Sequence, residues 1–283
     1  TITAHTLEMP RLFGIFFNEQ KSPLLSEKPI KEAIRYAIDR NEIAQNVRSG
    51  GAVPFAYPLP SFLKLHEQNV LEGAHDIEKA KRLLLEAGWH DSNDDGILDK
   101  TSQRTKTKPR ERTDLIFTIT TSDWPDLVRS AQTLKEELQK AGIGITIETL
   151  PFTELETKVI RPRNFQILLF GQVYGYEPDP FPFWHSSQIK DPGLNIALYI
   201  NKKTDRILES ARQINDALVR QNKYKEFEDE ILDDIPANFL YSQTFLYLQP
   251  RDLKGAHLKK ISLPADRFNE INLWHRETKR VFR

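Results

Sequence analysis

The alternation of apolar and polar positions divides the chain into short strands and amphipathic helices. Apolar residues recur at helical spacing in five segments, residues 29–39, 76–87, 125–141, 204–217 and about 220–232. Short apolar runs predict strands at residues 12–17, 115–120, 143–150, 166–170 and 239–248. A period of 3.6 is typical of a helix with one buried face, and short β-branched or continuous apolar runs are typical of strands. The pattern therefore predicts an α/β protein.

The middle of the chain predicts a β-α-β-α-β unit. Its strands are residues 115–120, 143–150 and 166–170, joined by a helix over 125–141 and a second one around 152–160. Right-handed crossovers make such strands parallel, with the helices packed on the sheet. The inward face of the first helix is predicted to be Val128, Ala131, Leu134 and Leu138.

An aromatic loop follows the last of these strands. The apolar run Ile167-Leu168-Leu169-Phe170 is expected to end at Gly171, and residues 171–187 then combine five aromatic residues with three prolines. Proline fixes its own φ and restricts the residue before it, so the loop should be stiff. Open α/β sheets bind ligands at the carboxyl ends of their strands. Two interpretations fit equally well: a ligand-binding wall, or aromatic residues that cap the core.

Composition excludes several classes of protein. The chain has 283 residues, 39% hydrophobic and 28% charged, and its 40 basic and 40 acidic residues cancel. A balanced charge gives no reason to expect a nucleic-acid partner. A membrane span needs about 18 consecutive apolar residues, and no run approaches that length. Thr1 opens no targeting segment, so we expect either a cytosolic protein or a mature or truncated piece.

A possible calcium loop lies at residues 91–99. Oxygen-bearing side chains stand at positions one, three, five and nine of an EF-hand pattern, with glycine at six. These residues are Asp91, Asn93, Asp95 and Asp99. Ser102 stands at position twelve, where calcium loops have a bidentate glutamate. A tight turn rich in Asn, Asp and Gly explains the same sequence without a metal, so both interpretations stay open.

The remaining motifs do not support a catalytic site, a zinc site or a disulfide. The absence of cysteine excludes disulfides and thiolate metal sites. The seven histidines lie apart, without the spacing of a zinc site. His185 stands beside two serines, but a catalytic triad is defined in space and not by neighbouring positions. The alternating basic residues from Arg104 to Arg112 favour a solvated surface ribbon.

Four segments together resemble the family 5 extracellular solute-binding proteins, the peptide and nickel receptors of ABC importers. IKEAIRYAIDRNEI is similar to that family's RQALNYAIDR helix, and DIEKAKRLLLEAGW with DSNDDGILD to its KAKxLLxEAGW…DGDGI segment. EPDPFPFWHSS resembles the DYPDP cleft loop, and YINKKTDRILESAR the NPxxDxLLxxAR helix. The matches keep their order from about residue 16 to residue 236.

The resemblance implies a periplasmic-binding-protein-like lobe with a mixed sheet flanked by helices. Residues 1–18 are then a strand or hinge segment of a missing amino-terminal lobe, and 19–238 are the carboxyl-terminal substrate-binding lobe. Residues 239–283 are a return strand and a tail that pack with the first lobe. The family also implies an extracytoplasmic location, in the periplasm or as a lipoprotein on the outer face of the membrane.

The function implied is capture of oligopeptides between two lobes and delivery to permease subunits, with no enzymatic activity and no cofactor. The expected cleft surface is Phe170, Gln172, Tyr174, Tyr176 and Trp184. Many peptide receptors of the family have a Trp-x-x-Asp motif before the Pro-Asp-Pro, where this chain has Val173 and Tyr176. The comparison with the family therefore implies structural roles for the nearest carboxylates, Glu177 and Asp179. The alternatives are a hydrolase that uses His185 with a nearby acid, and a structural partner-binding domain.

Overall fold

A computed structural model describes residues 2–47, 51–65, 74–101, 111–256 and 261–276. Its centre is a six-stranded mixed sheet in the order β2-β8-β1-β7-β5-β6. The strands of this sheet are β1 (Ile2–Phe17), β2 (Ala52–Pro54), β5 (Ile116–Ser122), β6 (Gly144–Leu150), β7 (Ile167–Val173) and β8 (Ala237–Pro250). A separate small hairpin is formed by β3 (Asp99–Thr101) and β4 (Arg112–Asp114).

Helices cover both faces of the sheet. They are α1 (Lys28–Ala37), α2 (Arg40–Asn46), α3 (Ile77–Glu86), α4 (Pro125–Lys140), α5 (Phe152–Glu154, continued by a π-helical turn Leu155–Ile160), α6 (Phe181–Trp184), α7 (Lys202–Gln213) and α8 (Ala217–Asp234). Side chains of Asp76, Asn201 and Asp216 accept hydrogen bonds from the first backbone N–H groups of α3, α7 and α8. The cap of α2 is Asp39, whose side chain accepts from the amides of residues 41 and 42.

The predicted β-α-β-α-β unit is confirmed. β5 pairs in parallel with β6 over its whole length and with β7 at Ile119 and Thr120. β7 then pairs antiparallel with β1, which makes the sheet mixed. The carboxyl ends of β5, β6 and β7 therefore point the same way. We call this end of the sheet, formed by Ser122, Leu150 and Val173 and the residues that follow them, the carboxyl edge.

Two apolar layers hold the helices against the sheet. Alternate residues of β1 point to opposite faces, so Phe13, Ile15 and Phe17 join the layer under α1 to α4. Leu12 and Phe16 join the layer under α5 to α8. A strand buried on both faces shows continuous apolar sequence, which explains the pattern at residues 12–17 and 167–170.

The first and last strands lie partly inside the central sheet and partly outside it. Residues 11–17 of β1 lie between β7 and β8 in the central sheet, and residues 237–242 of β8 pair with them. These parts are therefore integral to the central sheet. The assignment of residues 1–18 and 239–283 to contacts with a first lobe stays a prediction. Only the outer halves, residues 2–8 and 244–250, form a two-stranded ribbon with alternating burial. The tail packs on one face of that ribbon, where the rings of Trp274 and Tyr247 lie 6.4 Å apart.

β7 does not end at Gly171 as predicted but continues to Val173. An added Cβ at Gly171 would lie 2.7 Å from the ring of Phe13 on β1. Glycine is therefore required for close approach of a neighbouring ring, not for termination of the strand. Most of the basic ribbon predicted at residues 104–112 lies outside the described residues, and Arg112 begins β4. Within the described ranges, no helix is both long and apolar enough to cross a membrane.

Candidate functional site

The carboxyl edge carries a concentration of exposed apolar side chains. Trp124 follows β5, Phe152 follows β6, and Val173 and Tyr176 stand at the end of β7 and just after it; their exposed fractions are 39, 55, 55 and 59%. Exposed apolar groups gathered at one place are typical of a binding surface. The topology therefore places these residues where open α/β sheets bind their ligands.

Trp124 is held at this edge by the start of α4. It is the residue before Pro125, and its ring meets that of Phe13 edge-on, with 6.1 Å between centroids. One turn later, Val128 is also exposed. The prediction that Val128 faces inward is wrong, since Leu127 takes the buried position.

Phe170 and Phe152 form a stacked aromatic pair on the face of the sheet that α5 to α8 cover. Their rings stack with centroids 6.3 Å apart and an interplanar angle of 19°. Phe170, half-buried, belongs to the layer under α5 to α8, and Phe152 extends that layer outwards. The pair provides flat apolar surface at the edge, and Phe170 is one of the predicted cleft residues.

Gln172 lies two residues beyond Phe170 on the same face of β7 and pairs with Leu12 on β1. Its side chain is only 2% exposed, and neither its amide oxygen nor its amide nitrogen has a hydrogen-bond partner among the described residues. An unpaired buried amide costs about 1–3 kcal/mol. Such a cost is expected where a partner is supplied by something outside the chain.

Tyr174 and Trp184, also predicted as cleft residues, lie in the core. Trp184 is fully buried among Phe16, Phe227 and Phe239. The Tyr174 hydroxyl donates to the carbonyl of Pro58 at 2.9 Å and accepts from Trp184 Nε1 at 3.3 Å. Burial raises the pKa of Tyr174 well above its usual value, so the phenol stays neutral and able to donate. Neither ring offers a surface that a ligand could contact in this conformation.

The two carboxylates of the aromatic loop, Asp179 and Glu177, also have different environments. Asp179 accepts from the backbone amide of Phe181 at 3.1 Å and forms an ion pair with Arg212 at 2.6 Å, so it holds the loop against α7. Glu177 and Tyr176 are exposed. Among the loop residues, Tyr176 is therefore the predicted cleft residue that reaches solvent.

His185 has the environment of a capping residue. Its Nδ1 accepts from the backbone amide of Ser187 at 3.1 Å and lies 2.8 Å from the Ser187 hydroxyl. Nε2 lies 3.3 Å from Glu209, and the ring stacks on Phe181 with 4.1 Å between centroids. These contacts begin a short helical turn and tie it to α7, which gives the histidine a structural role.

The loop at residues 91–99 is closed by its own hydrogen bonds. Asp91 accepts from the backbone amides of residues 95 and 96, and the Asn93 amide donates to Asp95. Asp99 accepts from the amide and hydroxyl of Ser92, and these bonds lower its pKa. In the described part of the chain, Asp91, Asp95 and Asp99 do not gather ligand atoms into a common group. Calcium binding by this loop stays a prediction.

A pocket lies at the opposite end of β7. It is lined by Asn18, Arg163 and Asp191 among others. The guanidinium of Arg163 donates to the carbonyls of Ile189 and Gly193 at 3.3 and 2.6 Å, and Asn18 donates to the carbonyl of Arg163. Its polar groups thus hold neighbouring loops together, and we place the candidate site at the carboxyl edge.

Sequence reasoning missed three residues of that edge: Trp124, Phe152 and Arg11. Trp124 and Phe152 each follow the carboxyl end of a predicted parallel strand. Open α/β sheets bind ligands at these strand ends, so the reasoning used for β7 identifies both residues when it is applied to β5 and β6. Arg11 lies opposite Val173, and its Nη1 is 3.4 Å from the Gln243 side-chain oxygen. No local signal marks it, because its place depends on the pairing of strands about 160 residues apart.

Comparisons with known proteins all find bacterial binding proteins. The family model "Bacterial extracellular solute-binding proteins, family 5 Middle" matches residues 5–192. The chain is 30% identical to the oligopeptide-binding protein AppA of Bacillus subtilis over 240 residues, which are 83% of this chain and 42% of AppA. It is 27% identical to the heme-binding protein A of Haemophilus influenzae over 85% of this chain and 41% of that protein.

The fold agrees with that of AppA, the first of these relatives. The solved structure of B. subtilis AppA in complex with a nonapeptide superposes with a TM-score of 0.75 and 26% identity, covering 98% of this chain and 53% of that one. The chain thus spans about half the length of the relatives it matches. Because the family model covers well over half of its residues, the chain belongs to the family 5 bacterial extracellular solute-binding proteins.

Proposed function

We propose that this chain is the substrate-binding lobe of an extracytoplasmic receptor for oligopeptides, which passes its ligand to the permease subunits of an ABC importer. A second lobe, carried by the rest of a longer receptor, closes over the carboxyl edge. The oligopeptide-binding relative and the partial coverage of its length support this proposal. The receptor then lies in the periplasm or on the outer face of the membrane as a lipoprotein.

The observation that carries the proposal is the unpaired amide of Gln172. An amide offers one acceptor and two donor hydrogens, the same set of groups that a peptide main chain completes. Hydrogen bonds to a main chain do not depend on the identity of the side chains, so they suit peptides of mixed sequence. Both polar atoms of Gln172 are covered in this conformation, so a ligand pairs with them only when the side chains that cover them move aside. A ligand that does so would recover the free energy lost by burying the amide.

The aromatic groups of the edge supply the rest of the surface. Trp124, Phe152 and Tyr176 are large and partly exposed. Aromatic rings contribute much of the binding energy of interfaces, since they bury a large area with few rotatable bonds. The exposed side chains of the edge combine with Gln172 to give apolar contact around one polar anchor, which is the composition of a typical ligand site.

The test uses the full-length receptor and a mixed-sequence peptide library, with affinity measured by calorimetry. Gln172→Leu should weaken peptide binding by about tenfold or more, because one hydrogen-bonded anchor of about 1.4 kcal/mol is lost. The folded protein should be as stable as the wild type or slightly more stable, since leucine removes two unpaired buried polar atoms.

Gln249→Leu is the matched control. Gln249 is also buried with an unpaired side-chain oxygen, but it lies on the outer ribbon of β8. This variant should bind peptide like the wild type. Unchanged peptide affinity in Gln172→Leu would exclude the amide as an anchor. Binding of hemin in place of peptides would reject oligopeptides as the ligand class.

The two-lobe part of the proposal has its own test. A site enclosed from both sides excludes water and doubles its contacts, so the described lobe alone should bind peptide far more weakly than the full-length receptor. Titration of the same library against both proteins measures the difference. Equal, tight binding by this chain alone would show that the site lies wholly within it.

A further inference from the structure

A second polar cluster lies away from the carboxyl edge, where three segments meet beside α4. Asp39 stands between α1 and α2, His75 stands two residues before α3, and Glu137 is in the last turns of α4. One ligand atom from each of the three side chains lies within 4.8 Å of the other two. Glu137 is thirteen residues after Trp124, so the cluster is about 20 Å along the helix from Trp124.

Glu137 is the most unusual member of this group. It is 1% exposed, and its buried Oε1 meets no hydrogen-bond donor in the described part of the chain. Its Oε2 accepts from the backbone amide of Asp39 at 2.8 Å. A carboxylate taken out of water is costly unless a proton or a cation compensates it. The Glu137 carboxyl therefore needs either a proton shared with a neighbouring carboxyl group, such as that of Glu42, or a bound cation.

The side chains around Glu137 are acidic, which favours a bound cation at this place. The carboxyl groups of Glu42 and Asp39 lie close to that of Glu137. No arginine or lysine of the described ranges forms an ion pair with Glu137 or Asp39. Negative groups held together in this way attract a cation.

We propose that Asp39, His75 and Glu137 bind a divalent transition-metal ion. One imidazole nitrogen and two carboxylate oxygens form a donor set that Zn²⁺ accepts in proteins. The imidazole favours a transition metal over Ca²⁺ and Mg²⁺, which prefer oxygen donors alone. Oδ1 of Asp39 caps α2, and its other oxygen remains for the metal.

The consequence of this site is structural. The three ligands come from segments that are far apart in sequence, so the unfolded chain cannot present them together. A metal that binds only the folded state stabilises it by mass action. It would fasten the start of α2 and the segment before α3 to the carboxyl-terminal part of α4. This site is independent of peptide binding at the carboxyl edge.

The test titrates Zn²⁺ into metal-stripped protein and follows heat release and the melting temperature. We expect one Zn²⁺ per chain and a rise in melting temperature, with Mg²⁺ giving no rise at the same concentration. His75→Gln should weaken Zn²⁺ binding by about 100-fold, because loss of an outer partner of a metal ligand alone costs 10–100-fold. Co²⁺ should give a visible absorption band in the wild type that His75→Gln loses.

His275→Gln is the matched control, since His275 is also exposed but lies in the tail. It should bind Zn²⁺ like the wild type. His75 is exposed, so its replacement should leave the far-ultraviolet circular dichroism unchanged. Two results would overturn the proposal: a wild-type melting temperature that Zn²⁺ does not raise, or Zn²⁺ affinity that His75→Gln leaves intact. Peptide affinity that does not change with Zn²⁺ separates this test from that of the proposed function.

Discussion

Two tryptophans that follow parallel strands of the same sheet have opposite environments. Trp184 comes eleven residues after the end of β7 and is fully buried. Trp124 comes two residues after the end of β5 and is 39% exposed. The longer loop after β7 has enough chain to fold back over the sheet, where Trp184 meets Phe16 and Phe227. The short connection after β5 keeps Trp124 at the carboxyl edge.

The difference shows that an aromatic loop after a strand does not by itself make a ligand surface. Both interpretations of residues 171–187 hold for different residues of the same loop: Trp184 and Tyr174 cap the core, and Tyr176 is exposed. Distance from the strand end does not separate them, since Tyr174 directly follows Val173 and is buried, whereas Tyr176, two residues later, is exposed. The packing of each ring in the folded loop decides which side it lies on. The comparison predicts different effects for substitutions of the buried aromatic residues and of the exposed ones.

The largest effect is expected at Trp184. Trp184→Ala should lower the free energy of unfolding by about 3–5 kcal/mol, the usual cost of removing a large aromatic side chain from a core. Chemical denaturation of this chain measures the change. Trp124→Ala is the matched control and should cost less than about 1 kcal/mol, since its side chain is partly solvated already. Equal losses in the two variants would remove the distinction between the core and the edge.

A smaller loss of stability is expected at Tyr174. Tyr174→Phe keeps the ring and removes the hydroxyl, which leaves the Pro58 carbonyl and Trp184 Nε1 unpaired in a buried place. The free energy of unfolding should fall by about 1–3 kcal/mol, the cost of unsatisfied buried polar groups. Denaturation measures it, and Tyr247→Phe on the half-buried ribbon serves as the control. A neutral result for Tyr174→Phe would mean that water replaces the lost hydroxyl.

The main elements of the fold could be predicted because their signals are local. The apolar faces of α1, α3 and α7 and the strand runs of β5 and β6 follow from spacing over ten or so residues. The β-α-β-α-β unit then follows from the handedness of crossovers. The resemblance to a family added the overall arrangement, which the comparisons bear out.

What could not be predicted depends on partners distant in sequence. β1 begins at Ile2 because β8, some 240 residues later, pairs with it. Gly171 was interpreted as a stop because the ring of Phe13, which requires it, lies on another strand. At the site, Phe170 and Gln172 were identified at the edge. The burial of Trp184 was not, because only the folded loop decides which aromatic residues face inward.

An effect on binding and not on folding is expected at Trp124. In the full-length receptor, Trp124→Ala should reduce affinity for the mixed-sequence peptide library by about tenfold, or 1.4 kcal/mol. Leu218→Ala on α8 is a suitable control, since Leu218 is 73% exposed and not part of the carboxyl edge. Calorimetry with both variants measures the difference. If the two variants bind alike, the exposed surface at α4 does not contact the ligand.

The smallest effect is expected at Tyr176, which shares a loop with Trp184 but is 59% exposed. Tyr176→Ala should change the free energy of unfolding by less than about 0.5 kcal/mol, as is usual for surface positions. Peptide affinity of the full-length receptor should fall by about threefold, because a ring at the rim of an enclosed site loses only part of its water on closure. Melting curves and calorimetry on the same preparation separate the two quantities. A loss of stability as large as that of Trp184→Ala would show that the ring of Tyr176 packs into the core in solution, and the division of the loop would then be wrong.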